Sequence, residues 1–592
     1  MARSAHMAAP MHRPSQGLAL TLGALLCYVA GCSAPAHPPA PVPAPVLAPA
    51  ATVEADNSCL SIGAWNDLHG QIQPIDLWMD TGTVPAGGVI ALADAIGDLR
   101  ATTDTVVLLD AGDLFTGSLE STLAEGAPII EAYRVLGVDA VAVGNHEFDF
   151  GPVGYTKLTA AAGAGDTGPL GKRGALRARM ASASFPFLSA NIHQRNGAPL
   201  GWPDFAASTH VRRGGFDVGV VGYTTKETEV TTSAANIDDL DFVTHAGASV
   251  AAEIRALRAS GASPIVLLAH ASLDGPLPQS LDAPAASADP VHGELATLIA
   301  SLGADRPDVI VAGHRHAWML GRVDGIPVVS SDRQGLGLAR IRFCRDHRVI
   351  SLRSIERVAV LAASPPRTEL GRQVAAHTAP WLEAVKASGD AFVTTLPRDC
   401  PMQAVDGTAG AEQVALAMAA NAQVTTPPRG VPIVALVNAG ALRAPLHKGV
   451  IRFEDLFRTF PFEITLSGCE TTREGLLHIV HNALANPSAW KHLPFAIAGA
   501  ELTIAHAENG SPSLVSLALE HETRPGPGSE PVWLVTPDFV LDGGDGFMEG
   551  VVCTRTTRTS VRIRDVWRER LISQPDACDS RRPQNIAVRL AN

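Results

Sequence analysis

From about Cys59 to Arg357 the chain repeats one pattern: a short apolar run, a polar or glycine-containing stretch, and then, often, apolar positions at helical spacing. The runs are "CLSIGAW", "TVVLLDAG", "DAVAVGN", "FDVGVVGY", "SPIVLLAH", "PDVIVAGH" and "IPVVSS". Apolar runs without alternation belong to strands covered on both faces, so the pattern predicts a layered α/β domain with sheets covered by helices. Residues 364–387, "SPPRTELGRQVAAHTAPWLEAVKA", begin at prolines and keep apolar positions at helical spacing, interrupted by Pro380, which predicts a linker helix or a helix pair. Beyond Asp390 the runs "VPIVALVNAG", "FEITLSG", "ELTIAH", "SLVSLALE" and "PVWLVTPDFVL", with helical patterns near 411–421 and 472–485, predict a second, smaller α/β unit. No internal repeat is visible, nor any membrane-length apolar stretch after residue 31. The expected division is 55–360 for the first domain, 361–389 for the linker and 390–592 for the second domain.

The chain before this pattern has a different character. "MARSAHMAAPMHRPSQGLALTLGALLCYVAGC" carries Arg3 and Arg13, then an apolar run from about Leu18 to Ala30, too short to span a bilayer comfortably and flanked as a signal peptide is. The ending "VAGC" resembles a bacterial lipobox, which implies that 1–31 is removed and that Cys32 carries lipid, anchoring an exported protein to the cell envelope. An ordinary signal peptide with a chance cysteine is the alternative. Residues 32–54, with "SAPAHPPAPVPAPVLAPA" at their heart, form a Pro/Ala tether of extended, semi-rigid chain.

Composition narrows the function. At 592 residues and 46% hydrophobic content the chain is too long for one ordinary core. The balance of 46 Lys+Arg against 59 Asp+Glu leaves −13, and no dense basic block occurs, so no broad nucleic-acid footprint is expected. A small anionic substrate received by a few local cations or metal ions fits this balance. Of the eight cysteines, Cys27 leaves with the signal and Cys32 takes lipid. Cys59, Cys344, Cys400, Cys469, Cys553 and Cys578 remain, none in a CxxC pair, so a cysteine zinc site is not expected. In an exported chain an even set suggests disulfides; Cys59 and Cys344, which open and close the first domain, are the first pair expected, and the other pairings stay open.

The candidate chemistry stands where apolar runs end. "NDLHG" delivers Asp67 and His69, "DAGDLFTGS" Asp113, "GNHEFD" Asn145, "LLAH" His270, and "AGHRH" His314 and His316. Carboxylate, amide oxygen and imidazole are ligands for hard and borderline divalent ions. A single Asp, Asn or His after a strand is usually a turn or cap residue. Five such clusters in one domain are not, because a polar group of that density repels itself or lies unpartnered unless something positive occupies it.

The ordered set D-x-H, G-D, G-N-H-E, H, G-H-x-H resembles the calcineurin-like metallophosphoesterases. Together with "LSANI" at 188–192 and "VGVVGYTT" at 218–225 it is similar to the 5'-nucleotidase family, over about Cys59 to Gly546. The resemblance implies a four-layer N-terminal α/β domain, a linker helix and a smaller α/β C-terminal domain. It also implies two divalent ions, zinc or manganese, although such ligand sets also accept iron or cobalt. Asp67, His69, Asp113 and His316 would hold one ion; Asp113, Asn145, His270 and His314 the other. His146 would act on the phosphoryl group or the leaving oxygen, oriented by Asp149. In the second domain "NAGALR" would bring Asn438 to the base and Arg443 to the phosphate, "FPFE" and "PDFVLDGGDGF" would sandwich the base between Phe462 and Phe539, and Asp545 would bind the ribose hydroxyls.

Two departures from the family pattern stand out. Where it has arginines before the first helix of the second domain, this chain reads "LPRDCPMQAVDGTAGAEQ", with Arg398 the sole candidate, and "LAHASLDG" replaces the usual Ser-His-x-Gly. The expected activity is hydrolysis of nucleoside 5'-phosphates. A 2',3'-cyclic-nucleotide phosphodiesterase with 3'-nucleotidase activity, or a nucleotide-sugar or dinucleotide pyrophosphatase, would use the same metal set. A non-catalytic surface binding lipoprotein would be expected to lack ligands, and none is missing. The sequence is silent on oligomeric state.

Overall fold

Alternate residues of each apolar run enter different cores. In the strand Val106–Asp110, Val107 and Leu109 pack in one cluster while Val106 and Leu108 pack in another; in Ile265–His270, Val266 and Leu268 separate in the same way from Ile265, Leu267 and Ala269. A strand buried on both faces has no polar side to alternate with, which is why these runs read as continuous. The computed structural model of the chain describes residues 58–590 apart from 80–81, 104, 153, 155–170, 244–245, 276–280, 282–290, 348, 403–409, 486–492, 507–511, 521–527, 577 and 579–586. The expected signal segment, Cys32 and the tether lie outside the described residues.

Two sheets form the N-terminal half. One runs in the order Val349–Ala359, Gly337–Asp346, Cys59–Trp65, Val106–Asp110, Ala140–Ala142, Phe187–Leu188, Phe205–Ala206; the other Trp318–Val323, Ile326–Ser331, Val309–Ala312, Ile265–His270, Phe216–Thr224, Ser208–Arg213. Ile62, Val107, Leu109, Val220, Val266 and Val311 meet between the sheets. Helices Gly88–Thr102, Ala127–Leu136 and Glu369–Gly389 pack on the outer face of the first sheet, and Gly247–Ala259 and Glu294–Ser301 on that of the second. The result is four layers, helix, sheet, sheet, helix. Cys59–Trp65, Val106–Asp110 and Ala140–Ala142 run parallel in the first sheet and Ile265–His270 and Val309–Ala312 in the second, so their carboxyl ends share one edge, where open α/β sheets place ligands.

The predicted linker is one helix, Glu369–Gly389, with Pro380 inside it. Thr368 caps it by accepting the Gly371 N–H at 3.0 Å, and Trp381 Nε1 donates to Glu131 Oε2 at 2.9 Å, fastening the helix to the first domain. The C-terminal half is built on a five-stranded sheet, Phe495–Ala498, Ile433–Asn438, Pro531–Pro537, Thr465–Thr472, Arg555–Arg562. Helices Gly410–Ala420 and Ile563–Ser573 cover one face and Arg473–Ala485 the other. The apolar run "PVWLVTPDFVL" is two elements: the strand stops at Pro537, and Asp538–Leu541 is a helical turn whose Asp538 accepts the N–H and hydroxyl of Thr465.

Cys59 and Cys344 are bonded, as expected; they face each other across the antiparallel pair of strands. Cys400–Cys578 and Cys469–Cys553 complete the set. Among the described residues no helix is long and apolar enough to cross a membrane.

Candidate active site

Five of the seven expected metal ligands stand on backbone that side-chain-bearing residues seldom adopt. Asp67, His69, Asp113, His314 and His316 have φ of 51°, 50°, 61°, 78° and 51°. Each such residue costs about 1–3 kcal/mol and persists only where neighbours enforce it. Glu147, inside "GNHEFD", is one enforcer: its carboxylate accepts the N–H groups of Asp113 at 2.9 Å, Leu114 at 2.6 Å and Gly144 at 2.7 Å, tying two ligand loops together. Burial, and then the nearby Asp113 charge, push Glu147 up to about 8 although three donors point at it. Gly144 is obligatory here, since a Cβ would stand 2.2 Å from Asp113 Oδ1. Asn66 is the second enforcer: Nδ2 donates to Asp67 Oδ2 and to the Asp332 carbonyl, and Oδ1 accepts the Ser331 N–H at 2.8 Å. Neither residue was assigned a role from sequence; only the position of Glu147 within an already suspect motif hinted at one.

The ligand atoms gather in two groups that share one carboxylate. Asp67, His69, Asp113 and His316 form one, Asp113, His270 and His314 the other, with Asn145 Oδ1 3.1 Å from both His270 Nε2 and His314 Nδ1. Whether the site suits cations follows from where the ring protons are. His69 Nδ1 lies 2.9 Å from the Thr116 carbonyl and His270 Nδ1 2.9 Å from the Ala111 carbonyl, and a carbonyl only accepts, so in the neutral rings the proton is on Nδ1. Their Nε2 lone pairs then point into the cluster: His69 Nε2 stands 2.8 Å from His316 Nε2, and His270 Nε2 faces another acceptor, Asp113 Oδ2, at 3.1 Å. An acceptor facing an acceptor, as at His270 and Asp113, requires positive charge between them.

The electrostatics express the same demand. Burial alone would raise Asp113, yet His270, His146 and His69 hold it well below the usual carboxylate range; Asp67 is held down likewise, chiefly by His316. Burial would lower His270, yet Asp113 and Asp67 raise it to about 10, whereas burial and the neighbouring His316 keep His69 neutral. The donor set fits two divalent ions.

In front of this cluster lies a cavity of about 590 Å³ between the two halves of the chain. Asp113, Asn145, His146, Asp149, His314 and His316 line it from one side, and Asn438, Arg443, Phe462, Phe539 and Asp545 from the other; Asp67, His69 and His270 are buried behind the first wall. His146 Nδ1 is 2.7 Å from Asp149 Oδ2, and its Nε2 accepts from Arg443 Nη2 at 2.5 Å. Phe462 stacks on His146 with ring centres 5.9 Å apart and lies 5.4 Å beneath the Arg443 guanidinium. Asn438 Nδ2 donates to Asp545 Oδ2 at 2.7 Å, while its buried Oδ1 has no hydrogen-bond partner among the described residues. Burial raises Asp545 to about 6. Phe539 packs over Gly544, where a Cβ would come within 2.4 Å of its ring.

Other wall residues had no signal in the sequence. Thr232 donates to Asp149 Oδ1 at 3.1 Å and Asn236 donates to the Phe148 carbonyl at 2.8 Å; outside the lining, Glu227 Oε2 lies 2.8 Å from His314 Nε2. Arg398, the sole candidate in the departing segment, is exposed and does not line the cavity; residues 403–409 of that segment, which contain no arginine, lie outside the described residues.

Residues 60–318 match the family model described as calcineurin-like phosphoesterase, and residues 392–550 that described as 5'-nucleotidase, C-terminal domain. The chain is similar to snake venom 5'-nucleotidase of Gloydius brevicauda, 34% identical over 184 residues that make up 31% of this chain and 28% of that protein. It is also similar to the 5'-nucleotidase of Homo sapiens, 27% identical over 311 residues, 49% of this chain and 48% of that protein. The matched stretches thus span less than half of these relatives' own length. Among solved structures, a 5'-nucleotidase precursor from Thermus thermophilus shares the fold with a TM-score of 0.70 at 20% identity, over 90% of this chain and 99% of that chain.

Proposed function

The chain belongs to the 5'-nucleotidase family of two-domain metallophosphoesterases, and on that premise we propose that it hydrolyses nucleoside 5'-phosphates to nucleoside and inorganic phosphate. One observation carries the reading: the doubled Asp/His cluster and the set Asn438, Arg443, Phe462, Phe539 and Asp545 open into a single cavity. Its volume, about 590 Å³, is within the range of small-ligand sites.

Asp67, His69, Asp113 and His316 would hold one ion, and Asp113, Asn145, His270 and His314 the other. Two zinc or manganese ions, when bound, supply the charge that holds phosphoryl oxygens and that makes a water acidic enough to attack. Arg443 reaches the same place from the opposite wall and gives its N–H donors to the phosphate. That contact would release His146 Nε2, whose ring is held through Nδ1 by Asp149, to take up a proton from solvent and pass it to the 5'-oxygen as its bond to phosphorus breaks. Asn438 Oδ1, a buried acceptor, takes a donor from the base edge, Phe462 and Phe539 pack the base, and the Asp545 carboxylate accepts from the ribose hydroxyls.

The test is phosphate release by the zinc- or manganese-loaded chain from 5'-, 3'- and 2',3'-cyclic nucleotides side by side. Preference for 5'-monophosphates is expected; preference for cyclic or 3'-nucleotides overturns the substrate assignment.

The three disulfides support residence in an oxidising compartment, and with the lipobox-like "VAGC" they support export with a lipid on Cys32. Cys32→Ala should move the protein from the membrane to the soluble fraction, and unchanged fractionation refutes the anchor.

A further inference from the structure

Three of the ligand imidazoles have a partner on the nitrogen turned away from the cluster. For His69 and His270 that partner is a buried backbone carbonyl, of Thr116 and Ala111. For His314 it is different in kind: the carboxylate of Glu227, whose side chain is 49% exposed, 2.8 Å from Nε2. A carboxylate only accepts when ionised, so it keeps the neutral ring's proton on Nε2 and leaves the Nδ1 lone pair facing Asn145 Oδ1 at 3.1 Å. Glu227 is itself held, its N–H donating to Thr225 Oγ1 at 3.1 Å and its other oxygen accepting from Ser272 Oγ at 3.4 Å. It immediately precedes the short helix Thr228–Thr231, which packs against the turn Gly544–Gly546 of the C-terminal half.

We infer that Glu227 is a positioning residue for the ion held by Asp113, Asn145, His270 and His314. It selects the His314 tautomer, fixes the ring plane and makes Nδ1 the stronger donor, as carboxylates behind metal-ligating histidines do. The inference rests on the metal-site reading above and assigns one of its two positions a specific outer partner. It also predicts asymmetry: the ion at Asp67, His69, Asp113 and His316 does not depend on Glu227.

The experiment uses the full chain loaded with zinc and dialysed against a graded series of chelator, with bound zinc counted by elemental analysis. Wild type should hold two ions per chain. Glu227→Ala should lose one of them at about 10–100-fold lower chelator than wild type and keep the other. Glu227→Gln, whose side-chain carbonyl can still accept from Nε2, should fall between. His314→Ala should lose the same ion, and adding Glu227→Ala to it should change retention no further. Metal-free wild type and Glu227→Ala should melt at the same temperature, since a general structural role would lower it. Equal retention by Glu227→Ala and wild type, or loss of both ions together, overturns the inference while leaving the metal site standing. Fewer than two ions on wild type overturns the metal-site reading and the inference with it.

Discussion

Asp113 serves both ligand groups, and its N–H and that of Leu114 both end on Glu147. Asp113→Ala should therefore release both ions and lower phosphate release by several orders of magnitude, measured as bound metal and turnover on the same sample; two ions still bound would refute the shared ligand. Asp545 makes a pH prediction. Burial raises it to about 6, so it becomes a carboxylate as pH rises through that value, and only then is it a full acceptor for ribose hydroxyls. KM for a nucleotide should fall as pH rises through about 6, an aryl phosphate should show no such step, and Asp545→Asn should abolish the step. At this scale the sequence was legible where a residue's own chemistry is the function: Asp, Asn and His at strand ends declare themselves as donors. Glu147, Asn66 and Glu227 were not, because they act through hydrogen bonds to backbone or to another side chain, most of them made across long separations in the chain that no local pattern encodes.

Strands and helices of the first domain were readable because continuous apolar runs admit few alternatives once both faces are covered. One run divides: "PVWLVTPDFVL" is broken at Thr536-Pro537-Asp538, where Pro537 ends the strand and Asp538 turns back to hold Thr465, so one mostly apolar run supplies two elements. Between elements, one contact yields a stability prediction. Glu120, in helix Leu119–Leu123, is buried against helix Phe453–Thr459 near Glu454 and Arg458. Burial, and then Glu454, raise it to about 7 from an ordinary 4.5. A raised carboxyl favours the fold while protonated, so its contribution is present below about 4.5 and is lost as pH climbs through about 7. Glu120→Gln mimics the protonated form. It should match wild type in denaturant melts at pH 4 and exceed it above pH 7 by up to about 3 kcal/mol, the equivalent of that shift.

At the scale of the molecule, the proposed function divides the work between the two halves, and substitutions should divide likewise. Stacking on an aromatic is worth about 1–3 kcal/mol per base, so Phe539→Ala should lower kcat/KM for AMP by about one to two decades and leave an aryl phosphate, if the wild type hydrolyses it, unchanged. Phe462 also stacks on His146 and lies under Arg443, so Phe462→Ala should depress both substrates. Equal wild-type efficiency of both variants on AMP would reduce these rings to packing. The strand that opens the described chain, Cys59–Trp65, is also the one that carries Asp67 and His69 at its far end. Whatever the chain before residue 58 is fastened to, a pull on it arrives first at this strand. The Cys59–Cys344 bond, closing a span of 285 residues at that very point, diverts the load into Gly337–Asp346 and spreads it over the whole sheet. Reduced, the protein should yield under tension from the end that leads to Asp67 and His69; oxidised, it should bear the same force with those residues undisturbed.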